Sequence, residues 1–109
     1  MAVPIYEAKA DLFRTLGHPV RVRVLELLCE KPMPVRDLLA EISVESSNLS
    51  QQLAVLRRSG LVTSTRHGTT VEYAVASPGI AALLAAGREI LASVWSDAED
   101  RLHELRETS

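Results

Sequence analysis

The sequence predicts a mainly α chain with one small β-hairpin, in the order helix, helix, helix, helix, hairpin, long helix. Three observations carry this reading. Apolar residues recur at steps of three and four in five separate segments, as amphipathic helices require. Two Val- and Thr-rich runs flank His67-Gly68, as hairpin strands do. A last apolar seam runs from Ile80 to Leu105, which at about 1.5 Å per residue makes a helix longer than the domain beside it.

The elements follow in order. Residues 5–16 place Ile5, Ala8, Leu12 and Leu16 on one helical face with Phe13 beside them, and Gly17 ends the helix. Pro19 opens the next helix, where a missing N–H costs little. Over residues 19–30, Val20, Val24, Leu27 and Leu28 share a face that Leu25 flanks, and Lys31-Pro32 breaks the helix. Pro34 starts a third, shorter helix with Val35, Leu38, Leu39 and Ile42 inward. A tight SVES connection leads to a fourth helix, about 47–58, whose buried stripe is Leu49, Leu53 and Leu56. Ser46 or Ser47 caps it. Two helices joined by so short a turn make a helix-turn-helix.

Gly60 stops the fourth helix, and the hairpin occupies about 61–75, with Gly68 supplying the positive φ at its tip. Ser77-Pro78 then caps a helix of about 78–107. Its seam is Ile80, Leu84, Gly87, Leu91, Val94, Ala98, Leu102 and Leu105, with Leu83, Ile90 and Trp95 flanking, close to a heptad pattern. The whole is a winged helix-turn-helix in a single domain, 1–109, with a long C-terminal dimerisation helix.

Composition sets the bounds. The 109 residues suffice for one modest core, and with aromatics at 4% that core must be aliphatic. A small aliphatic chain of this kind often completes its core by oligomerising. A lone Cys29 precludes an intramolecular disulfide and fits a reducing cytoplasm. Neither a signal peptide nor an apolar run near the roughly 18 residues of a spanning segment is expected, so no membrane partner is. There is no Gly-rich phosphate loop and no nucleophile paired with a base, so the chain does not read as an enzyme.

Charge is unevenly spread. Residues 1–76 carry a balance of +1 and residues 77–109 one of −3, within a total of −2. Between Ser46 and Val71 stand Arg57, Arg58 and Arg66 and no acid. The start of the fourth helix is rich in hydroxyl and amide groups and lacks Lys and Glu. Such a face, followed by a basic hairpin, suits the polar, negatively charged surface of DNA.

At this point a resemblance becomes specific. Leu16-Gly17-His18-Pro19-Val20-Arg21, Val24-Leu25, Leu49-Ser50-Gln51-Gln52-Leu53, Leu56-Arg57, Gly60-Leu61-Val62, Gly68 and Tyr73 stand in order and at the spacing of a known family. From Leu16 to Val75 the chain resembles the ArsR/SmtB family of bacterial transcriptional regulators. The resemblance implies a cytoplasmic homodimer that binds double-stranded DNA, with the N-terminal half of the fourth helix in the major groove. On the face opposite the Leu stripe the expected contacts are Ser46, Ser47, Asn48, Ser50, Gln51 and Gln52. Asn and Gln can pair bidentately with adenine. A solvated polar helix face is the plainer alternative. Glu45 departs from the small polar cap usual in the family and should point away from DNA.

Arg57 and Arg58 close the helix, where cations also offset its dipole; Arg57 is placed on phosphate. At the wing, Arg66, His67 and Thr69 are placed on the backbone or minor groove, with Thr70 beside them. Arg21 either packs against the turn or meets phosphate. His18 has a turn role, and Cys29 is a small core residue rather than a redox switch. Leu84, Leu91, Val94 and Trp95 are placed in the dimer interface.

The family's metal sites are absent. A thiolate site like E-L-C-V-C-D-L, aligned on Asp37-Leu38, would put its cysteines at Pro34 and Arg36. A long-helix site like D-x-H-x10-H-x-x-E would fall on Ser77, Gly79, Ile90 and Ser93. Glu99, Asp100 and His103 are candidates for a non-standard divalent site of the Ni, Zn or Fe type, against the reading of a solvated acidic helix end. The effector is therefore unknown. The expected function is a sequence-specific DNA-binding regulator acting as a homodimer on a roughly palindromic operator. The alternatives are a metal-responsive sensor using that His/carboxylate site and a winged-helix protein-interaction module without DNA binding.

Overall fold

The computed structural model describes residues 2–108, with side chains as far as Arg106. Five helices and three strands follow one another as α1 (Ile5–Leu16), α2 (Pro19–Glu30), β1 (Met33–Pro34), α3 (Val35–Glu41), α4 (Ser46–Arg58), β2 (Val62–His67), β3 (Thr70–Val75) and α5 (Gly79–Thr108). This is a mainly helical winged helix-turn-helix, with a four-residue turn between α3 and α4.

The core is wholly aliphatic, as the scarcity of aromatics demands. α2 contributes Val24, Leu25, Leu27 and Leu28, and α4 contributes Leu49, Leu53 and Leu56. Leu38 of α3, Val62 of β2 and Ile80 of α5 close it with Met33 and Ile42. α2 lies at the centre, packed against α4, α5 and β3.

Local chemistry explains the boundaries. His18 caps α2: its Nδ1 accepts the Val20 N–H at 3.2 Å, so the turn role expected for it is a helix cap. Pro19 follows at the first helical position, where it forfeits no bond. α4 ends in a Schellman arrangement: the Gly60 N–H donates to the Arg57 carbonyl and the Leu61 N–H to the Leu56 carbonyl, each at 3.0 Å. Gly60 takes φ +76° to make that turn. Ser77 Oγ accepts the Gly79 N–H at 3.1 Å and starts α5.

Two expectations are corrected. Neither Ser46 nor Ser47 caps α4: the N-cap is Glu45, whose extended backbone precedes the helix without a side-chain cap bond. Pro34 stands at the start of α3 as its N-cap rather than within its first turn, and it also belongs to β1, which pairs with β3 as Met33↔Tyr73 and Pro34↔Glu72. The hairpin is thus part of a three-stranded antiparallel sheet, ordered β1-β3-β2. A two-residue strand is too short to show alternation, and Pro is tolerated there because β1 is an edge.

The shape is extended. The radius of gyration is 18.0 Å, against about 13 Å for a compact chain of about 100 residues. α5 is responsible: it leaves the core after Leu84, and Ile90, Leu91, Val94, Trp95 and Leu102 are exposed. α1 buries no residue fully and exposes Ile5, Tyr6 and Phe13. Segment Gly79–Arg106 holds an 18-residue window of mean hydropathy 1.2, long and apolar enough by length and composition to cross a membrane. This exceeds the expectation that no stretch would qualify. Leu84, expected in the dimer seam, is partly buried and packs against the core of its own chain.

Candidate nucleic-acid interface

α4 presents two faces. Leu49, Leu53 and Leu56 are fully or almost fully buried, while Ser46, Ser47, Ser50 and Gln51 are exposed. The inward leucines fix the helix's rotation on the core, and the hydroxyl and amide groups are carried outward as a consequence. Arg57 and Arg58 are also exposed, at the C-terminal end, where they complement the helix dipole. With Ser50, Ala54 and Tyr73 they line an open cleft of about 400 Å³ between α4 and the sheet. No acid lines that cleft, so an anion can enter it without meeting like charge.

Gln52 is not on this outer face. It is 8% exposed, the one polar residue within the buried set among the described residues. Its position explains why: it follows Leu49 by three and precedes Leu56 by four, which puts it on the buried side of the helix. Burial of an amide requires partners, and it has them. Arg21 Nε donates to Gln52 Oε1 at 2.8 Å, and Gln52 Nε2 donates to Asn48 Oδ1 at 2.9 Å. Arg21 Nη1 donates as well to the Thr15 carbonyl at 3.0 Å. Arg21 therefore ties the end of α1 to α4, which decides between the two roles weighed for it in favour of packing. Asn48 is half-buried at the margin between the two faces.

The wing projects beside α4. β2 and β3 pair from Val62↔Val75 to His67↔Thr70, leaving Gly68 and Thr69 as a two-residue turn. Gly68 has φ +66° and Thr69 does not share a positive φ, the pattern of a type II′ hairpin turn. Arg66, His67 and Thr69 are exposed at the tip. His67 Nε2 stands 3.8 Å from Glu72 Oε1 on the facing strand, a contact the sequence did not reveal because the register was unknown.

The metal candidates do not assemble. Among the described residues no group of three or more His, Cys, Asp or Glu side chains could hold a metal ion. Glu99 and Asp100 are consecutive and so leave α5 about 100° apart around its axis. Cys29 is half-buried on α2. Burial first, and the Glu26 carboxylate second, push its thiol pKa up. Both effects oppose the thiolate.

The geometry agrees with what the chain resembles. Residues 18–64, from the α2 cap into β2, match the model described as bacterial regulatory protein, arsR family. Rv0081 of Mycobacterium tuberculosis, an HTH-type transcriptional regulator, is 51% identical over 104 residues, spanning 94% of this chain and 91% of its own. The crystal structure of Rv0081 has a TM-score of 0.80 over 89% of this chain and 98% of that one. The transcriptional repressor BigR from Xylella fastidiosa is 35% identical in its crystal structure, with a TM-score of 0.74 over 78% of this chain and 87% of that one. The chain belongs to the arsR family of bacterial regulatory proteins and is a winged helix-turn-helix transcriptional regulator.

Proposed function

We propose that this regulator binds a roughly palindromic operator as a cytoplasmic homodimer, with α4 of each protomer in a major groove and the wing on the adjoining backbone. One observation carries the reading. The outer side of α4 from Ser46 to Arg58 carries exposed hydroxyl, amide and guanidinium groups and no acid, while a separate surface on α1 and α5 exposes Phe13, Leu91, Val94 and Trp95. The first surface suits base edges and phosphates; the second suits a second copy of the chain.

Within that frame Ser47, Ser50 and Gln51 read base edges, with Ser46 at the helix entrance and Asn48 at the margin. Arg57, flanking the open cleft, and Arg66, at the wing tip, meet phosphate, with His67 and Thr69 beside Arg66. Gln52 positions these groups rather than touching DNA. Leu91, Val94 and Trp95 of α5 form the dimer seam, and Leu84 supports it from the core. Regulation then requires an effector or partner that binds the DNA-competent and incompetent arrangements with different affinity.

The test is a titration of the DNA upstream of the gene, with a scrambled duplex of equal length as control. Salt-dependent, sequence-selective binding of one dimer supports the proposal. Equal affinity for both duplexes removes sequence-specific binding, and binding to neither leaves the protein-interaction module.

A further inference from the structure

We infer that Asn48 is a donor-presenting reader of base edges, held in that orientation by a relay that begins at Arg21 and passes through Gln52. This rests on the proposed placement of α4 in the major groove. The relay starts from a group that has no choice. A guanidinium carries five N–H donors and no acceptor, so the Gln52 atom that lies 2.8 Å from Arg21 Nε must be the carbonyl Oε1. The 3.0 Å bond from Arg21 Nη1 to the Thr15 carbonyl holds the guanidinium from a second side.

With Oε1 turned to Arg21, Gln52 has only its amide N–H groups to offer Asn48, 2.9 Å away. Asn48 must accept through Oδ1. Its Nδ2–H2 is then the end left facing outward. Among the described residues no acceptor takes up that group, and no buried side-chain nitrogen or oxygen lacks a partner, so Nδ2 is open to solvent, at the margin of α4 where Asn48 and Glu45 line an open pocket. Neither amide can flip without setting donor against donor.

The consequence is chemical selectivity. An asparagine free to show both ends pairs with adenine through N6–H and N7 together. Here Oδ1 is turned inward, and the group shown is a donor. It fits acceptors at the major-groove edge, N7 of guanine or adenine, O6 of guanine or O4 of thymine, and offers nothing to the N4–H2 of cytosine. Asn48 is the specificity-determining residue; Gln52 and Arg21 are positioning residues.

Gln52→Glu inverts the relay. The new carboxylate keeps Arg21 as an ionic partner but shows Asn48 only acceptors, so the Asn48 amide must turn, donate inward and present Oδ1. Asn48→Asp reaches the same end differently: it still accepts from Gln52 and presents a carboxylate oxygen. The experiment is a selection from a randomised duplex pool using the full-length wild type, both variants and Gln51→Ala, with thermal melting to confirm folding.

The wild type is expected to select guanine or thymine over cytosine at one position per half-site, with adenine, which shows both an acceptor and a donor, accepted in either orientation. In Gln52→Glu that preference reverses to cytosine over guanine or thymine, changing the ratio on the order of tenfold. Asn48→Asp moves it the same way at the same position, at lower affinity, and decides the matter if Gln52→Glu fails to fold. If Gln51→Ala relaxes selectivity while Asn48→Asp or a folded Gln52→Glu keeps the wild-type preference, the relay is overturned and the α4 reading stands. If none of the three changes the selected sequences, both fall.

Discussion

Arg21 of α2 and Gln52 of α4, thirty-one positions apart, share a 2.8 Å hydrogen bond that seats the helix-turn-helix on the helix beneath it. Removing the donor leaves a buried carbonyl oxygen unsatisfied. Arg21→Ala should therefore destabilise the fold by about 1–3 kcal/mol. Urea denaturation at fixed protein concentration measures this, the concentration being held because a dimer's stability depends on it. Loss of DNA affinity with unchanged stability would show that Arg21 acts at phosphate instead.

Gly60 closes α4 at φ +76° with open space where a Cβ would sit. Gly60→Ala should cost about 1–2 kcal/mol from backbone conformation alone. A thermal melt unchanged by this substitution would mean that the helix end relaxes into another turn at no cost.

Contacts of different kinds should fail differently. Arg66→Ala should weaken all duplexes alike and reduce the salt slope by about 1, whereas Gln51→Ala should relax sequence preference. Fluorescence anisotropy on matched and scrambled duplexes between low and physiological salt separates the two. Identical behaviour would undo the division into backbone and base contacts.

The apolar face of α5 should behave as an interface. Leu91 is 49% exposed in the single chain, so Leu91→Asp should leave helical content intact. It should shift the protein toward monomer in sedimentation equilibrium. Uncoupling the two half-sites should then lower operator affinity by about a hundredfold. A stable dimer in this variant would place the interface elsewhere.

Cys29 should alkylate slowly at neutral pH, because the reactive species is the thiolate and both burial and Glu26 raise the thiol pKa. The sign is testable: Glu26→Gln removes a negative charge, lowers the pKa and should speed iodoacetamide labelling. Slower labelling would mean that access, not ionisation, controls the rate.

The helices and the hairpin were legible because each carries its own period and its own stop, such as Pro19 for α2 and Gly60 for α4. What escaped depends on neighbours distant in sequence. β1 is two residues long and exists only because Tyr73 and Glu72 of β3 lie beside it. The buried place of Gln52 could have been seen, since it falls between Leu49 and Leu56 on the helical wheel. Reading residues 46–52 as one polar block hid it. Its partner could not have been seen, because nothing local links Arg21 to Gln52. Leu84 fits the seam pattern equally well as core or interface, and its packing on the core of its own chain follows from the path of α5 across α2, which no local pattern records.

The most direct measurement is a salt-dependent titration of the purified protein against its upstream duplex and a scrambled control. One dimer per duplex is expected, with at least about a thousandfold preference for the upstream sequence at physiological salt and affinity that falls steadily as salt rises. Equal affinity for both duplexes, or binding indifferent to salt, would contradict it.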